Sequence, residues 1–367
     1  MSLRFAIAAG GTGGHLFPGL AVAEVFHQRG HEVMILTSEK HIDAVATEGR
    51  SEFRIERLPG VGLPKGISLE TIRFGVRFAK GVWHCSRLFG EFKPQAVLGM
   101  GGFTSTAPIL AGRLRGLPCF VHESNAIPGK ANRLNARLAG GILTGMEECA
   151  GAMPGVRCVF TGTPVRRALG ERVDTIEARK KFGLDGLRKT LLVMGGSQGA
   201  RGINQSVPRA VAEVGKEVLQ VIHITGKDGE DEVRKAYADA GISAWVGAFH
   251  HQMQDAYSAA DVTVSRSGAA SLTELAYFGV PSVLIPYPYA AEDHQTRNAE
   301  VFVKAGAGIL LVEKEAGAER LAKHIRDMVE ETTHAKMVEA CIKLTQRDAA
   351  QRVADVVLTA VSGGAGR

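Results

Sequence analysis

The sequence predicts an α/β protein built of two doubly wound parallel-sheet domains, and three observations predict it. An apolar strand-like run passes through a glycine-rich turn into a helix at residues 10–14, again at 99–103, and again at 195–199. Short apolar runs alternate with helix-length segments, as parallel strands joined by crossover helices require. The alternation stops and restarts once within 367 residues, a length that suits two domains.

In chain order, a strand is expected over residues 3–9 and the first glycine turn over 10–14. A helix should open at Pro18 and close at Gly30, with proline just inside its start and glycine just past its end. A second strand follows at 32–37, and apolar runs at 96–99, 118–122, 141–144 and 158–162 complete a first domain over residues 1–164. The stretch 166–189 is charged and poor in strand signal. The pattern then resumes with runs at 190–194, 218–225, 244–248, 260–265 and 280–285, giving a second domain over 165–344. An amphipathic helix over 345–362 is expected to cross back and cover the first domain.

Lys and Arg number 44 against 38 Asp and Glu, a net charge of +6, which suits phosphate-bearing or membrane-surface partners. The five cysteines are scattered and form no CxxC, so neither a disulfide framework nor a zinc site is expected, and a reducing cytoplasm fits. The histidines show no metal-ligand spacing. The first residues read as a strand, too short an apolar run for a signal peptide. No run of about 18–20 apolar residues occurs, so any membrane contact should be peripheral.

Glycine turns before helices let backbone N–H groups approach a phosphate while the helix dipole favours negative charge. The first turn, Gly10-Gly11-Thr12-Gly13-Gly14-His15, fails as a dinucleotide fingerprint: its third glycine would fall at Leu16, although Glu39 stands where an acidic ribose ligand would be expected. No GxxxxGK[ST] occurs. The richest stretch is 261–274, where a strand ends in Ser265-Arg266-Ser267-Gly268 and a helix begins at Ala269. The free N–H groups of Ala269, Ala270 and Ser271 form a diphosphate seat, and Glu274, one turn on, can accept two ribose hydroxyls. A solvated helix carboxylate is the plainer reading of Glu274. Asp293-His294-Gln295 should sit at the carboxyl edge of the second sheet. In the first domain His15 and His122-Glu123 end strands, an acid/base constellation if they share a cleft. His250-His251 reads as an exposed turn.

These residues together resemble the MurG family of glycosyltransferases, which add N-acetylglucosamine to lipid I to make lipid II in bacterial peptidoglycan synthesis. The resemblance spans nearly the whole chain. It rests on Gly10 to His15 with Pro18-Gly19-Leu20, Gly99 to Phe103, His122-Glu123 with Asn125, and Gly162-Thr163-Pro164-Val165-Arg166. In the second half it rests on Gly195 to Ala200, Arg266-Ser267-Gly268-Ala269 with Glu274, and Asp293-His294-Gln295 with Asn298-Ala299. Ser124 departs from the family's usual Gln, and Lys130-Ala131 from its Leu-Thr.

The resemblance implies a GT-B fold, two Rossmann-like domains facing across a cleft. Donor UDP-N-acetylglucosamine would be bound mainly by the second domain and the lipid-linked acceptor by the first. Ala269, Ala270, Ser271, Leu272, Thr273 and Glu274 would hold diphosphate and ribose, Gln295 the sugar hydroxyls, Ser197 and Arg166 the phosphates. Main chain around Phe249 and His250 would meet the uracil, while Thr12, Gly13, Gly14 and Asn125 would reach the donor sugar. Gly101, Gly102, His122 and Asn132 would line the acceptor side. His15 is the first candidate for the base and Glu123 the second. The reaction would be inverting, with no cofactor and no metal, at the cytoplasmic face of the bacterial inner membrane. Partners would be UDP-N-acetylglucosamine, lipid I and an anionic membrane surface, with no nucleic acid. A UDP-sugar 2-epimerase, a glycolipid synthase, or a nucleotide-sugar binding module without turnover are the alternatives.

One surface feature comes from periodicity. At about 100° per residue, Phe74, Phe78, Val82, Cys85 and Phe89 share one arc of a helix over 69–89, a core stripe. Ile72, Val76, Ala79 and Trp83 form a second apolar strip flanked by Arg73, Arg77, Lys80 and Arg87, the pattern of an interfacial helix over anionic lipid. A helix buried on both sides with snorkelling cations is the alternative.

Overall fold

The computed structural model describes residues 2–40, 43–44, 47–59, 69–170, 172–196, 199–227 and 229–364. It divides into two compact units, Met1–Arg166 with Gln346–Arg367, and Arg167–Thr345.

The first unit runs β1 (Arg4–Ala8), α1 (Gly13–Gln28), β2 (Glu32–Ser38), β3 (Arg54–Leu58), α2 (Leu69–Phe92), β4 (Ala96–Gly99), α3 (Thr106–Leu114), β5 (Cys119–Glu123), α4 (Lys130–Ala139), β6 (Ile142–Thr144) and β7 (Cys158–Phe160). The second runs α5 (Thr175–Lys181), β8 (Lys189–Met194), α6 (Arg201–Val214), β9 (Leu219–Ile224), α7 (Glu230–Asp239), β10 (Ala244–Gly247), α8 (Met253–Ala259), β11 (Val262–Ser265), α9 (Ala269–Phe278), β12 (Ser282–Leu284), α10 (His294–Ala305), β13 (Gly308–Leu310), α11 (Ala318–Val329) and α12 (Glu331–Lys343). The chain then returns to the first unit as α13 (Ala349–Gly364).

The first sheet has the order β3-β2-β1-β4-β5-β6-β7 and the second β10-β9-β8-β11-β12-β13, and all the pairings are parallel. Both are Rossmann-like, doubly wound sheets. The order reverses beside β1 and beside β8, so each sheet has a switch point at which the carboxyl ends of neighbouring strands send their loops apart, the place where such sheets take ligands.

Burial on both faces explains the unbroken apolar strands. In β1, Phe5 and Ile7 pack with Leu16 and Leu20 of α1 and with Val353 and Val357 of α13. Ala6 and Ala8 face the other way, onto Leu88 and Phe89 of α2 and Ile109 of α3. The last helix therefore completes the core of the unit in which the chain began.

Several local expectations need correction. Helix α1 opens at Gly13, not at Pro18, which lies inside it. Thr12 is extended (φ −152°, ψ 155°), so the helix winds as soon as the chain leaves the turn. Pro18 is the sixth residue of the helix, past its first turn, so its missing N–H leaves the Gly14 carbonyl without the usual intrahelical bond. The strands β3 and β13 carry no legible strand signal in the sequence. Both are edge strands, β3 with charged side chains turned to water and β13 only three residues long.

A buried ion pair secures the second sheet. Arg179 of α5 is 5% exposed, and its Nη2 donates to Asp261 Oδ2 at 2.5 Å, while Nε donates to the Ala259 carbonyl. Asp261 Oδ2 also accepts from the Thr190 N–H at 2.7 Å, so one carboxylate joins α5, β8 and the entry to β11. Asp261→Ala leaves a buried guanidinium without its counter-charge and should cost about 3–5 kcal/mol. Urea unfolding of variant and parent measures it, and a loss under about 1 kcal/mol would remove this pair from the supports of the fold.

Candidate active site

In the first unit the turns after β1 and β4 lie side by side at the switch point. Thr12 caps α1 without a side-chain bond to its first turn, which leaves the N–H groups of Gly13 and Gly14 pointing outward at the positive end of the helix dipole. The His15 ring rests against the second turn. A Cβ on Gly101 would lie 3.0 Å from His15 Cδ2 and one on Gly102 3.0 Å from His15 Cε1, both glycines at positive φ. Only glycine allows this contact. Thr12 Oγ1 lies 3.3 Å from His15 Nδ1. Burial holds the half-buried imidazole below its ordinary pKa, opposed by the charge of Glu123 and by the Gly10 carbonyl. Burial therefore favours the neutral imidazole, the form in which a histidine can accept a proton.

Glu123 ends β5 and is 3% exposed. Its Oε1 accepts from the Asn125 N–H at 2.9 Å and from Asn125 Nδ2 at 2.7 Å. Oε2 accepts from Asn132 Nδ2 at 2.8 Å and from the Gly129 N–H at 3.2 Å. With four donors on two oxygens this carboxylate clamps the loop leading into α4, and the geometry makes it a holder of Asn125 and Asn132, not a free base. Asn132 in turn touches Gly101, whose Cβ would meet its Nδ2 at 3.1 Å. His122 is fully buried, its Nε2 lies 2.9 Å from the Gly162 carbonyl, and burial lowers its pKa. It braces the chain between strands and does not reach the surface where an acceptor would lie. Arg166 groups with this first unit, its guanidinium 3.8 Å above the Phe17 ring, whereas the sequence alone assigned it to the second domain.

In the second unit α9 starts at Ala269 behind Gly268, which has no side chain to cap it. The first intrahelical bond runs from the Leu272 N–H to the Gly268 carbonyl, so the N–H groups of Ala269, Ala270 and Ser271 remain open to an anion. Leu272 is buried in the core, and the Thr273 hydroxyl donates to the Ala269 carbonyl at 2.9 Å. Both stabilise the helix from within. Glu274 is not a solvated carboxylate: the fully buried Tyr257 donates its hydroxyl to Glu274 Oε2 at 2.6 Å. Gln295, in the first turn of α10, lies beside the same start, since Ser267 Oγ donates to the Gln295 carbonyl and Gln295 Oε1 accepts from the Tyr287 N–H. Arg266 is turned inward onto Glu313 and the Ile285 and Pro286 carbonyls, so it braces β11 and β12. His250 is no exposed turn. Its ring packs 4.9 Å from Phe182 and 5.4 Å from Trp245, after β10, three strands from β11. Ser197 lies outside the described residues.

The structure thus gathers His15, Gly101, Gly102, Glu123, Asn125 and Asn132 in one unit, and residues 269–274 with Gln295 in the other. Sequence reasoning missed Tyr257, which lies in the core, and Asp43 and Lys40, which bond to the first turn. No spacing singles these out.

Helix α2 carries the surface strip. Ile72, Val76 and Trp83 are 66%, 52% and 67% exposed, with Arg73, Arg77 and Lys80 also exposed and Arg87 5.8 Å from the Trp83 ring centre. The opposite side is packed, with Phe74 and Phe78 against Phe103 at 5.4 and 5.8 Å. The outer strip is not buried within this unit. No helix among the described residues is long and apolar enough to cross a membrane.

Residues 5–144 match the N-terminal domain of glycosyltransferase family 28 and residues 190–353 its C-terminal domain, which defines the class as a sugar transferase. The chain is 39% identical over 358 residues to the UDP-N-acetylglucosamine–N-acetylmuramyl-(pentapeptide) pyrophosphoryl-undecaprenol N-acetylglucosamine transferase of Geobacter sulfurreducens, covering 96% of this chain and 97% of that protein. Against the Xanthomonas euvesicatoria protein of the same name it is 38% identical, covering 98% and 82%. The crystal structure of Acinetobacter baumannii MurG superposes with a TM-score of 0.77 at 27% identity, over 97% of this chain and 99% of that one. A kitacinnamycin glycosyltransferase, at 17% identity and a TM-score of 0.68, shares the fold. The chain belongs to the MurG family of N-acetylglucosaminyltransferases.

If Glu123 is a clamp, Glu123→Gln turns two of its four accepted bonds into donor-donor clashes. Stability should then fall by about 1–3 kcal/mol, readable as a lower urea midpoint. A variant with full stability and no activity would return Glu123 to the role of base.

Proposed function

We propose that this chain transfers N-acetylglucosamine from UDP-N-acetylglucosamine to the 4-hydroxyl of the N-acetylmuramyl group of lipid I, yielding lipid II and UDP with inversion at the anomeric carbon. The observation that carries the reading is the open start of α9, with Glu274 one turn inward and Gln295 beside it. This is a seat for diphosphate, ribose and sugar in one place. The names of the near-full-length relatives supply the donor and acceptor.

In this reading, the acceptor oxygen bonds to the anomeric carbon as the bond to the diphosphate breaks, and the hydroxyl proton passes to His15. The N–H groups of Ala269, Ala270 and Ser271 neutralise the charge that develops on UDP. Gly13, Gly14, Thr12 and Asn125 meet the sugar, and Gly101, Gly102 and Asn132 the acceptor. Ser197 and Arg166 take the phosphates and the main chain at His250 the uracil. Because amides and arginine do this work, UDP should bind and turnover should proceed in EDTA. Glu274→Ala should weaken UDP binding by about 1.5–3 kcal/mol, whereas Gln295→Ala should lower turnover and leave UDP affinity nearly unchanged. Calorimetry with UDP and a radiolabelled transfer assay with a lipid I analogue separate the two. Equal losses of affinity would take Gln295 off the sugar, and an unchanged Kd would take Glu274 off the ribose.

The chain acts as a peripheral protein on the cytoplasmic face of the inner membrane, held there by the outer strip of α2. Each cation near an anionic surface contributes about 1 kcal/mol, and Trp83 adds roughly 2 kcal/mol on burial. The triple variant Arg73→Glu, Arg77→Glu, Lys80→Glu should lose co-sedimentation with anionic vesicles while retaining turnover on a soluble acceptor. Equal sedimentation of parent and variant would end the assignment of α2 to the membrane.

A further inference from the structure

The turn that carries His15 is held by a carboxylate that the chemistry above does not use. Asp43 is fully buried, and its Oδ2 accepts from the Gly11 N–H at 2.8 Å, the Ser38 N–H at 2.9 Å and the Ser38 hydroxyl at 2.5 Å. Gly11 follows β1 and Ser38 ends β2, so a single oxygen ties together the exits of two paired strands. There is no slack around it: a Cβ on Gly10 would fall 2.6 Å from Asp43 Oδ2 and 2.7 Å from the Ser38 nitrogen. Gly11 is held at φ +90°, and its carbonyl accepts from Lys40 Nζ at 2.7 Å. The next residue is Thr12, whose carbonyl accepts from the His15 N–H at 3.2 Å and the Leu16 N–H at 3.1 Å. Asp43 is thus linked to His15 through the Gly11 N–H and one further residue.

We propose that Asp43 is a positioning residue for sugar transfer: it locks the turn over residues 10–12 so that His15 is presented against Gly101 and Gly102. What a carboxylate adds over an amide of the same shape is its charge. Its other oxygen, Oδ1, is buried with no partner among the described residues, a state that calls for an explanation. The groups acting on His15 are Glu123 and His122 from β5, the Gly10 carbonyl and Thr12 hydroxyl of its own turn, and Asp43 and Lys40 from the segment after β2. Glu123 and Asp43 favour the imidazolium, while Lys40 opposes it. Removing the Asp43 charge therefore lowers the imidazole pKa further, and the pH at which a protonated base stops the reaction moves down.

The proposal rests on His15 as the base, and the experiment separates the two. In the full chain labelled with 15N-histidine, the titration of His15 is followed by NMR, assigned with His15→Ala, alongside kcat and both KM values against pH. Asp43→Asn should move the His15 titration and the acid limb of kcat together to lower pH, by roughly half a unit to one unit. It should also lower plateau kcat about tenfold or more, a larger factor than any change in the KM for the UDP-sugar. Lys40→Met, an exposed change that does not threaten folding, should move the titration the other way. A shifted titration with an unmoved acid limb supports the coupling of Asp43 to His15 and removes His15 as the base. An unmoved His15 titration in Lys40→Met and in any folded Asp43 variant overturns the proposal.

Discussion

The first N–H groups of α1 and α9 carry a positive partial charge that their own helices cannot neutralise. Each helix follows a strand beside its sheet's switch point, and each begins where no side chain caps it. Parallel pairing puts every strand's carboxyl end on one edge, so the open amides of each unit collect there by topology alone. An uncapped helix start suits an anion because its charge is fixed before any ligand arrives and does not have to reorganise.

Holding the loops around those helix starts in place falls to buried polar side chains that bond to one another and to the backbone. Glu123 fixes Asn125 and Asn132, Asp43 fixes the first turn, Tyr257 fixes Glu274, and the Arg266–Glu313 pair fixes the loops after β11 and β12. In a low-dielectric setting these bonds are strong when complete and costly when broken. The loops gain a single conformation from residues that a functional reading of the chain would be tempted to treat as chemical. Glu123 is the instructive case, since a buried carboxylate beside a histidine looks like a base until its donors are counted.

The surface helix is tied to this site by its inner face. Phe74 and Phe78 pack on Phe103, which directly follows Gly101 and Gly102 under the His15 ring. The exposed strip of α2 therefore lies on a helix packed directly against the turn that supports His15.

By itself the sequence determined the two parallel α/β halves, the central strands, the glycine turns, the start of α9 and the two-sided character of α2. Those features are local. They follow from periodicity, from glycine where a Cβ cannot fit, and from apolar runs buried on both faces. The family, too, was legible, because its motifs recur in order along nearly the whole chain. Only the tertiary structure decided the remainder. The edge strands β3 and β13 take their conformation from a neighbour and not from their own composition, and α1 begins before Pro18 because the Thr12 turn releases the chain into a helix there. What Glu123, His122 and His250 touch in the folded chain depended on partners up to 68 residues away, as with Phe182 against His250. Asp43 carried no motif, because a positioning residue is defined by what it touches, and contact between the ends of β1 and β2 exists only once the sheet has formed.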